Sequence, residues 1–193
     1  MRRIFLTLFA VISILTASAQ LPVPVRDGRI EYTGVVETPN VSGKDLYKNT
    51  KYYLTHAFKG ANDAIILDDS TSNTIALKSQ VFVPMEIQGS TSQGNMFDYR
   101  VQVEVKDGKY RYTISGFGGH SVNNNQYQGT SNVSFDGSGL DKMLEKLNGI
   151  ADAKIKEMII KSTNGMLNNL NEKMTTLIAQ LNANIITKPN TDF

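Results

Sequence analysis

Residues 97–117 read FDYRVQVEVKDGKYRYTISGF. Phe97, Tyr99, Val101, Val103 and Val105 alternate with Asp98, Arg100, Gln102 and Glu104, which is the two-residue period of a strand with one apolar and one polar face. Asp107-Gly108 forms a favoured two-residue hairpin turn, because aspartate tolerates and glycine readily adopts a positive φ. Closing the chain there pairs Lys106 with Lys109, and the rest of the register follows. Val105 then faces Tyr110, Val103 faces Tyr112 and Val101 faces Ile114, while Glu104 faces Arg111 on the other side. Apolar pairs on one face and an opposite-charge pair on the other agree on one register.

Outward from this hairpin, residues 74–83 (TIALKSQVFV) read as a strand stopped by Pro84, and residues 89–94 (GSTSQG) as a connection. Ala64 to Leu67 is a short buried strand, followed by a polar turn from Asp68 to Asn73. Earlier still, Ser42 and Asp45 make a capping-box-like helix start, with Leu46, Tyr53, Leu54, Ala57 and Phe58 as the apolar stripe and Gly60 at its end. Lys44, Lys48, Lys51 and Lys59 fall opposite and read as a solvated face rather than an anion-binding stripe. Residues 29–37 (RIEYTGVVE) form the first strand, with Ile30, Tyr32 and Val36 on one face, behind an extended lead-in over 20–28 that holds two prolines.

On the other side, residues 118–139 are rich in Gly, Asn, Ser and Gln and read as a long loop. A C-terminal amphipathic helical segment is expected over 140–186, with a tail at 187–193. Its first run carries Leu140, Leu144, Leu147, Ala151, Ile155, Met158 and Ile159, and Asn164-Gly165 marks an expected break. The second run carries Leu167, Leu170, Met174, Leu177 and Leu181 in steps of three and four, too short a repeat to establish a coiled coil. The element order is thus β-α-β-β-β-β-α. A cleanly alternating antiparallel sheet needs one face covered, so the fold class is α+β, in two layers with helices on one face.

The N-terminus reads as a targeting segment. Met1-Arg2-Arg3 is a positive n-region, Ile4 to Leu15 an apolar run of 12 residues, and Ala17-Ser18-Ala19 a small-x-small cleavage pattern before Gln20. Twelve residues of helix would reach about 18 Å into a hydrocarbon core of about 30 Å, so a signal peptide over 1–19 fits better than an anchor. The formal charge of +2 belongs to that segment: past residue 19, 18 basic residues meet 18 acidic ones. The expected product is exported, periplasmic or extracellular, with no transmembrane span.

With no cysteine, disulfides, thiol catalysis and Cys-bearing metal sites are excluded. The two histidines, His56 and His120, are the only imidazoles, and the neighbouring His120-Ser121 does not by itself make a nucleophile–base pair. Asp68-Asp69 read as a polar turn rather than paired carboxylates, since adjacent residues of an extended chain point opposite ways. Gly89 to Gly94 has phosphate-loop glycine spacing, but Asn95-Met96 replaces the lysine and hydroxyl such a loop needs. The Asn-x-Ser triplets at Asn40 and Asn132 would matter in a eukaryotic secretory pathway. No catalytic, cofactor-binding or metal residues are expected.

The stretches 30–58 (IEYTGVVETPNVSGKDLYKNTKYYLTHAF) and 99–117 (YRVQVEVKDGKYRYTISGF) resemble a family of secreted bacterial domains of unknown function described as having a TBP-like (TATA-binding-protein-like) fold. The resemblance covers roughly residues 29–117 and implies a TBP-like α+β core; it implies no activity and no site residues. TATA-binding proteins hold phosphates with basic residues and wedge aromatics into the minor groove. Here residues 29–117 hold ten basic and ten acidic residues, a balance that argues against nucleic acid. The reading that follows is a non-enzymatic exported domain that binds a protein or other envelope partner, through the exposed sheet face (Arg100, Gln102, Arg111, Thr113) or the loop 118–139. The alternatives are self-association through the leucine stripe within residues 140–186, and a hydrolase of unrecognised type.

Overall fold

The computed structural model describes residues 21–58, 64–87, 90–123, 126–127, 133–134, 142 and 145–187. The expected signal peptide therefore lies outside the described residues. The elements are β1 (Val25–Arg26), β2 (Arg29–Ile30), β3 (Tyr32–Glu37), α1 (Gly43–Ala57), β4 (Ile65–Asp69), β5 (Thr74–Ile87), β6 (Ser90–Lys106), β7 (Lys109–Asn123), β8 (Gln126–Tyr127), β9 (Val133–Ser134) and α2 (Ala153–Ile186). The main sheet runs β3-β7-β6-β5-β4, antiparallel throughout, with β8 and β9 pairing back onto β7. Both helices lie on the same face, α1 against β5 and β6 and α2 against β5 and α1. The α+β, two-layer, helices-on-one-face expectation holds.

The hairpin register is the expected one, from Lys106↔Lys109 through Glu104↔Arg111 to Val101↔Ile114. Its turn is closed differently: only Gly108 takes a positive φ, +74°. Asp107 is instead tied by its Oδ1, which accepts from the Gly43 N–H at 2.7 Å, and the Gly108 N–H donates to the Val41 carbonyl at 2.9 Å. The connection between β3 and α1 thus clamps the hairpin tip. Positive φ at both turn positions occurs at Asp27-Gly28 (50° and 72°), where the expected plain lead-in folds into the small β1–β2 hairpin.

Three expected interruptions are absent. Pro84 does not stop its strand, because β4 pairs β5 only as far as Leu77; the proline sits where β5 has β6 as its described strand neighbour, on the kind of edge that tolerates a missing donor. Residues 90–94 are strand rather than a connection, and Gly94 lies directly beneath the ring of Phe82, where a Cβ would sit 2.6 Å from it. Residues 118–123, read as the start of the long loop, continue β7 to Asn123. A bulge between Asp98/Arg100 and their partners, with Gly116 at φ +71°, shifts the strand's parity by one. Phe117 thereby enters the core beside Tyr99 and Tyr32, with ring centroids 6.1 and 6.0 Å away.

The C-terminal helix also differs. The expected break at Asn164-Gly165 is passed without interruption, and the chain breaks earlier, at residues 149–152. Asp152 caps α2, its Oδ1 accepting from the N–H groups of Lys154 and Ile155 at 2.9 and 3.0 Å. A mid-helix glycine costs about 1 kcal/mol relative to alanine, far less than the burial of the flanking stripe returns. Leu167, Leu170, Met174 and Leu181 are all essentially inaccessible to solvent. At about 1.5–3 kcal/mol per buried large side chain, that face holds the helix in one piece.

Candidate interaction surface

The strand alternation that buries Phe97, Tyr99, Val101, Val103 and Val105 under the helices turns Asp98, Arg100, Gln102, Glu104 and Lys106 to the opposite face. Registered beside them are Lys78 opposite Arg100, Gln80 opposite Asp98, and Arg111 and Thr113 opposite Glu104 and Gln102. Arg100, Gln102, Arg111 and Thr113, expected on an exposed face, therefore share it. The side chains form an ordered ladder. Arg100 Nη2 donates to Gln102 Oε1 at 2.9 Å, Gln102 Nε2 donates to Glu104 Oε1 at 2.9 Å, and Arg111 Nη2 donates to Glu104 Oε2. Gln80 Nε2 donates to Asp98 Oδ1 at 2.6 Å. The Nε of Arg100 is buried and has no hydrogen-bond partner among the described residues.

Burial alone would raise the Glu104 pKa. The hydrogen bonds from Arg111 and Gln102 and the charges of Arg111 and Lys106 outweigh it, so the carboxyl titrates below its ordinary value. Apolar groups stand at the margins, with Val35 60% and Phe82 37% exposed. Near the hairpin tip the face dips into a cleft of about 200 Å³ lined by Val35, Glu104, Lys106, Lys109, Tyr110 and Arg111. This cleft was not legible in the sequence, because it depends on the long-range pairing of Val35 with Arg111.

Of the other residues singled out in the sequence, His56, Asp68 and Asp69 are placed apart from this surface. His56 is exposed on α1, stacked on Tyr52 at 4.0 Å, with its Nδ1 2.7 Å from the Tyr52 carbonyl. His120 is not a loop residue but lies in β7 opposite Met96. Asp68 and Asp69 end β4, paired with Ile75 and Thr74, so the turn starts after them at Ser70 rather than at Asp68, and the two carboxylates serve separate structural purposes. Asp68 takes Lys51 at 2.6 Å and the hydroxyl of Tyr47, which together hold its pKa below the usual carboxylate value. Asp69 accepts from Ser72 Oγ at 2.7 Å and the Thr71 N–H at 2.8 Å within the turn. Lys44 and Lys48 are exposed on α1, as a solvated face requires. Among the described residues no cluster of three or more metal-ligating side chains occurs, and no helix is long and apolar enough to cross a membrane.

An antiparallel sheet with two helices on one face and the other left open defines a TBP-like domain. Residues 32–118 match the family model described as a domain of unknown function (DUF4468) with TBP-like fold. Among solved structures, a DUF4468 family protein from Bacteroides ovatus is similar with a TM-score of 0.63 at 15% identity, over 89% of this chain and 94% of that one. A TBP-like protein from Parabacteroides distasonis is similar with a TM-score of 0.57 at 15% identity, over 87% of this chain and 99% of that one. At such identity the likeness concerns the fold alone. Because it extends well beyond residues 32–118, α2 belongs to the shared architecture. Among curated proteins, none matches the chain.

Proposed function

We propose that this is an exported, non-enzymatic domain that binds a protein partner through the open face of its sheet. The observation that carries the reading is the hydrogen-bonded ladder Arg100–Gln102–Glu104–Arg111 on a sheet face that no described helix covers. Pre-ordered polar groups with apolar margins suit a protein interface, where a polar surround frames a few exposed apolar contacts. The mixture of Lys78, Arg100, Lys106, Lys109 and Arg111 with Glu37, Asp98 and Glu104 favours a partner of mixed charge over a polyanion. Export rests on the tripartite pattern of residues 1–19.

The test is affinity capture from the protein's own cell envelope with three baits. Wild type and a Lys48→Glu/Lys173→Glu control on the helical side are expected to retain the same protein. An Arg100→Glu/Arg111→Glu bait is expected to lose it. Equal retention by the open-face variant would overturn the reading.

Self-association is a second reading, but its surface has to change. The leucine stripe proposed for it is buried against the sheet, which leaves Ile155, Met158 and Ile160, with Ile186 at the far end, as the exposed large hydrophobic residues described on α2, at 48, 49, 38 and 47%. Light scattering of a Met158→Glu variant tests this version: an assembly that dissociates supports it, and a monomeric wild type ends it.

A further inference from the structure

We infer that the cleft at the hairpin tip takes a carboxylate carried by an extended acidic segment of the protein partner, a conclusion that rests on the open face being the binding surface. Three observations converge on it. Lys106 and Lys109 lie directly opposite one another in the ladder, a like-charge pairing that costs stability unless something negative joins it. Neither forms an ion pair among the described residues.

The acids nearby make no ion pair with them, although the charge of Lys106 is felt by Glu104. Both oxygens of Glu104 are engaged, one by Gln102 and one by Arg111. Glu37 stands in register with Lys109 from the β3 side but is not within ion-pair distance of it. Asp107 is turned to the start of α1, bound to the Gly43 N–H. The cleft thus offers two ammonium groups that have no ion pair among the described residues, beside the fixed Arg111–Glu104 pair.

Its remaining wall is apolar. Val35 is 60% exposed on the neighbouring edge strand, the most exposed of the large hydrophobic side chains described. At about 200 Å³, the cleft is below the ~300–1,000 Å³ of sites that enclose whole small molecules or cofactors. It suits one acidic side chain with a short aliphatic stem. An aliphatic neighbour two residues along an extended segment would fall on the same side and reach Val35. β3 is an edge strand of the main sheet, so a segment lying along it has access.

The test is an NMR titration of the isotope-labelled protein with an acetylated, amidated pentapeptide of sequence Ser-Glu-Ser-Val-Ser, whose glutamate and valine stand two residues apart and so on one side. The expected result is saturable shifts at the amides of Val35, Lys106, Lys109 and Arg111, weakening as salt is raised. A glutamine-for-glutamate peptide is expected to bind at least about tenfold more weakly, the scale of a lost charge-assisted contact. Lys106→Glu/Lys109→Glu should abolish the shifts. Lys106→Gln/Lys109→Gln, which introduces no repulsion within the hairpin, should remove most of the affinity.

Absence of shifts at these amides at millimolar peptide would overturn the inference, as would equal binding of the glutamine peptide or of the glutamine variant. Free glutarate binding as tightly as the peptide would also overturn it, by making this a small-anion site. Failure here is separable from failure of the broader reading. If a Lys106→Gln/Lys109→Gln bait retains the partner that Arg100→Glu/Arg111→Glu loses, the open face stands and the cleft assignment falls.

Discussion

The two faces of the sheet are made from alternate residues of the same strands, yet they are held by different forces. On the covered face, Phe97, Val101, Val103, Tyr110, Ile114 and Phe117 are shut away from water by α1 and α2. Two tyrosines there reach across to α2: Tyr32 donates to Asn171 at 3.1 Å and Tyr110 to Asn182 at 2.8 Å. Those asparagines are eleven residues apart, close to three full turns, so one side of α2 serves both strands. On the open face, charged and amide side chains are linked to one another rather than to a second layer. The contrast separates stability from recognition. Substitutions on one face should move the unfolding midpoint, and on the other the affinity for a partner.

The largest effect is expected from Phe117→Ala. The bulge places Phe117 between Tyr32 and Tyr99, and its removal should cost about 3–5 kcal/mol in urea unfolding. A change below 1 kcal/mol would mean that the bulge does not bring the ring into the core. Next, Gly116→Val forces a β-branched residue into φ +71°, a strain of about 1–3 kcal/mol. An unchanged midpoint there would contradict the parity shift.

A smaller loss, about 1 kcal/mol, is expected for Tyr110→Phe, which leaves Asn182 without its donor. The same tyrosines give the covered face an alkaline sensitivity. Burial raises the pKa values of Tyr32 and Tyr110 in the folded state. Their contribution is therefore complete below about 10, the ordinary value, and is lost as pH climbs toward the raised folded value. The Tyr32→Phe/Tyr110→Phe pair should flatten this alkaline limb of the stability profile, and an unaltered limb would refute the assignment. The smallest stability change belongs to the open face. Arg111→Ala removes a half-exposed ion pair and should cost under about 1 kcal/mol, while weakening partner capture. A large loss of stability with unaltered capture would reverse the comparison.

Legibility in the sequence followed the range of the interactions. The β6–β7 register could be read because its two strands are joined by two residues and every facing pair lies within a short stretch. The open-face residues Arg100, Gln102, Arg111 and Thr113 followed from the same alternation. Pro84, Gly118-Gly119 and Asn164-Gly165 misled because each is a local breaker overruled by a distant neighbour. Pro84 sits where β5 has lost β4, and its carbonyl accepts from Asn169 on α2 at 3.0 Å. Gly119 leaves room for the ring of Phe97, which a Cβ would approach to 3.0 Å. Gly165 lies in a helix pinned by Met166, Leu167 and Leu170 against the sheet. The cleft escaped notice for a related reason: Val35 and Lys109 come from strands separated by all of α1, β4, β5 and β6.

The comparison itself can be measured by lysine-reactive footprinting of the protein alone and in complex with its captured partner. Lys78, Lys106 and Lys109 are exposed on the open face, and Lys44, Lys48 and Lys173 on the helical layer. Binding through the open face predicts that the first three are protected while the second three react as before. Protection of Lys44, Lys48 or Lys173, with Lys78, Lys106 and Lys109 unchanged, would contradict it.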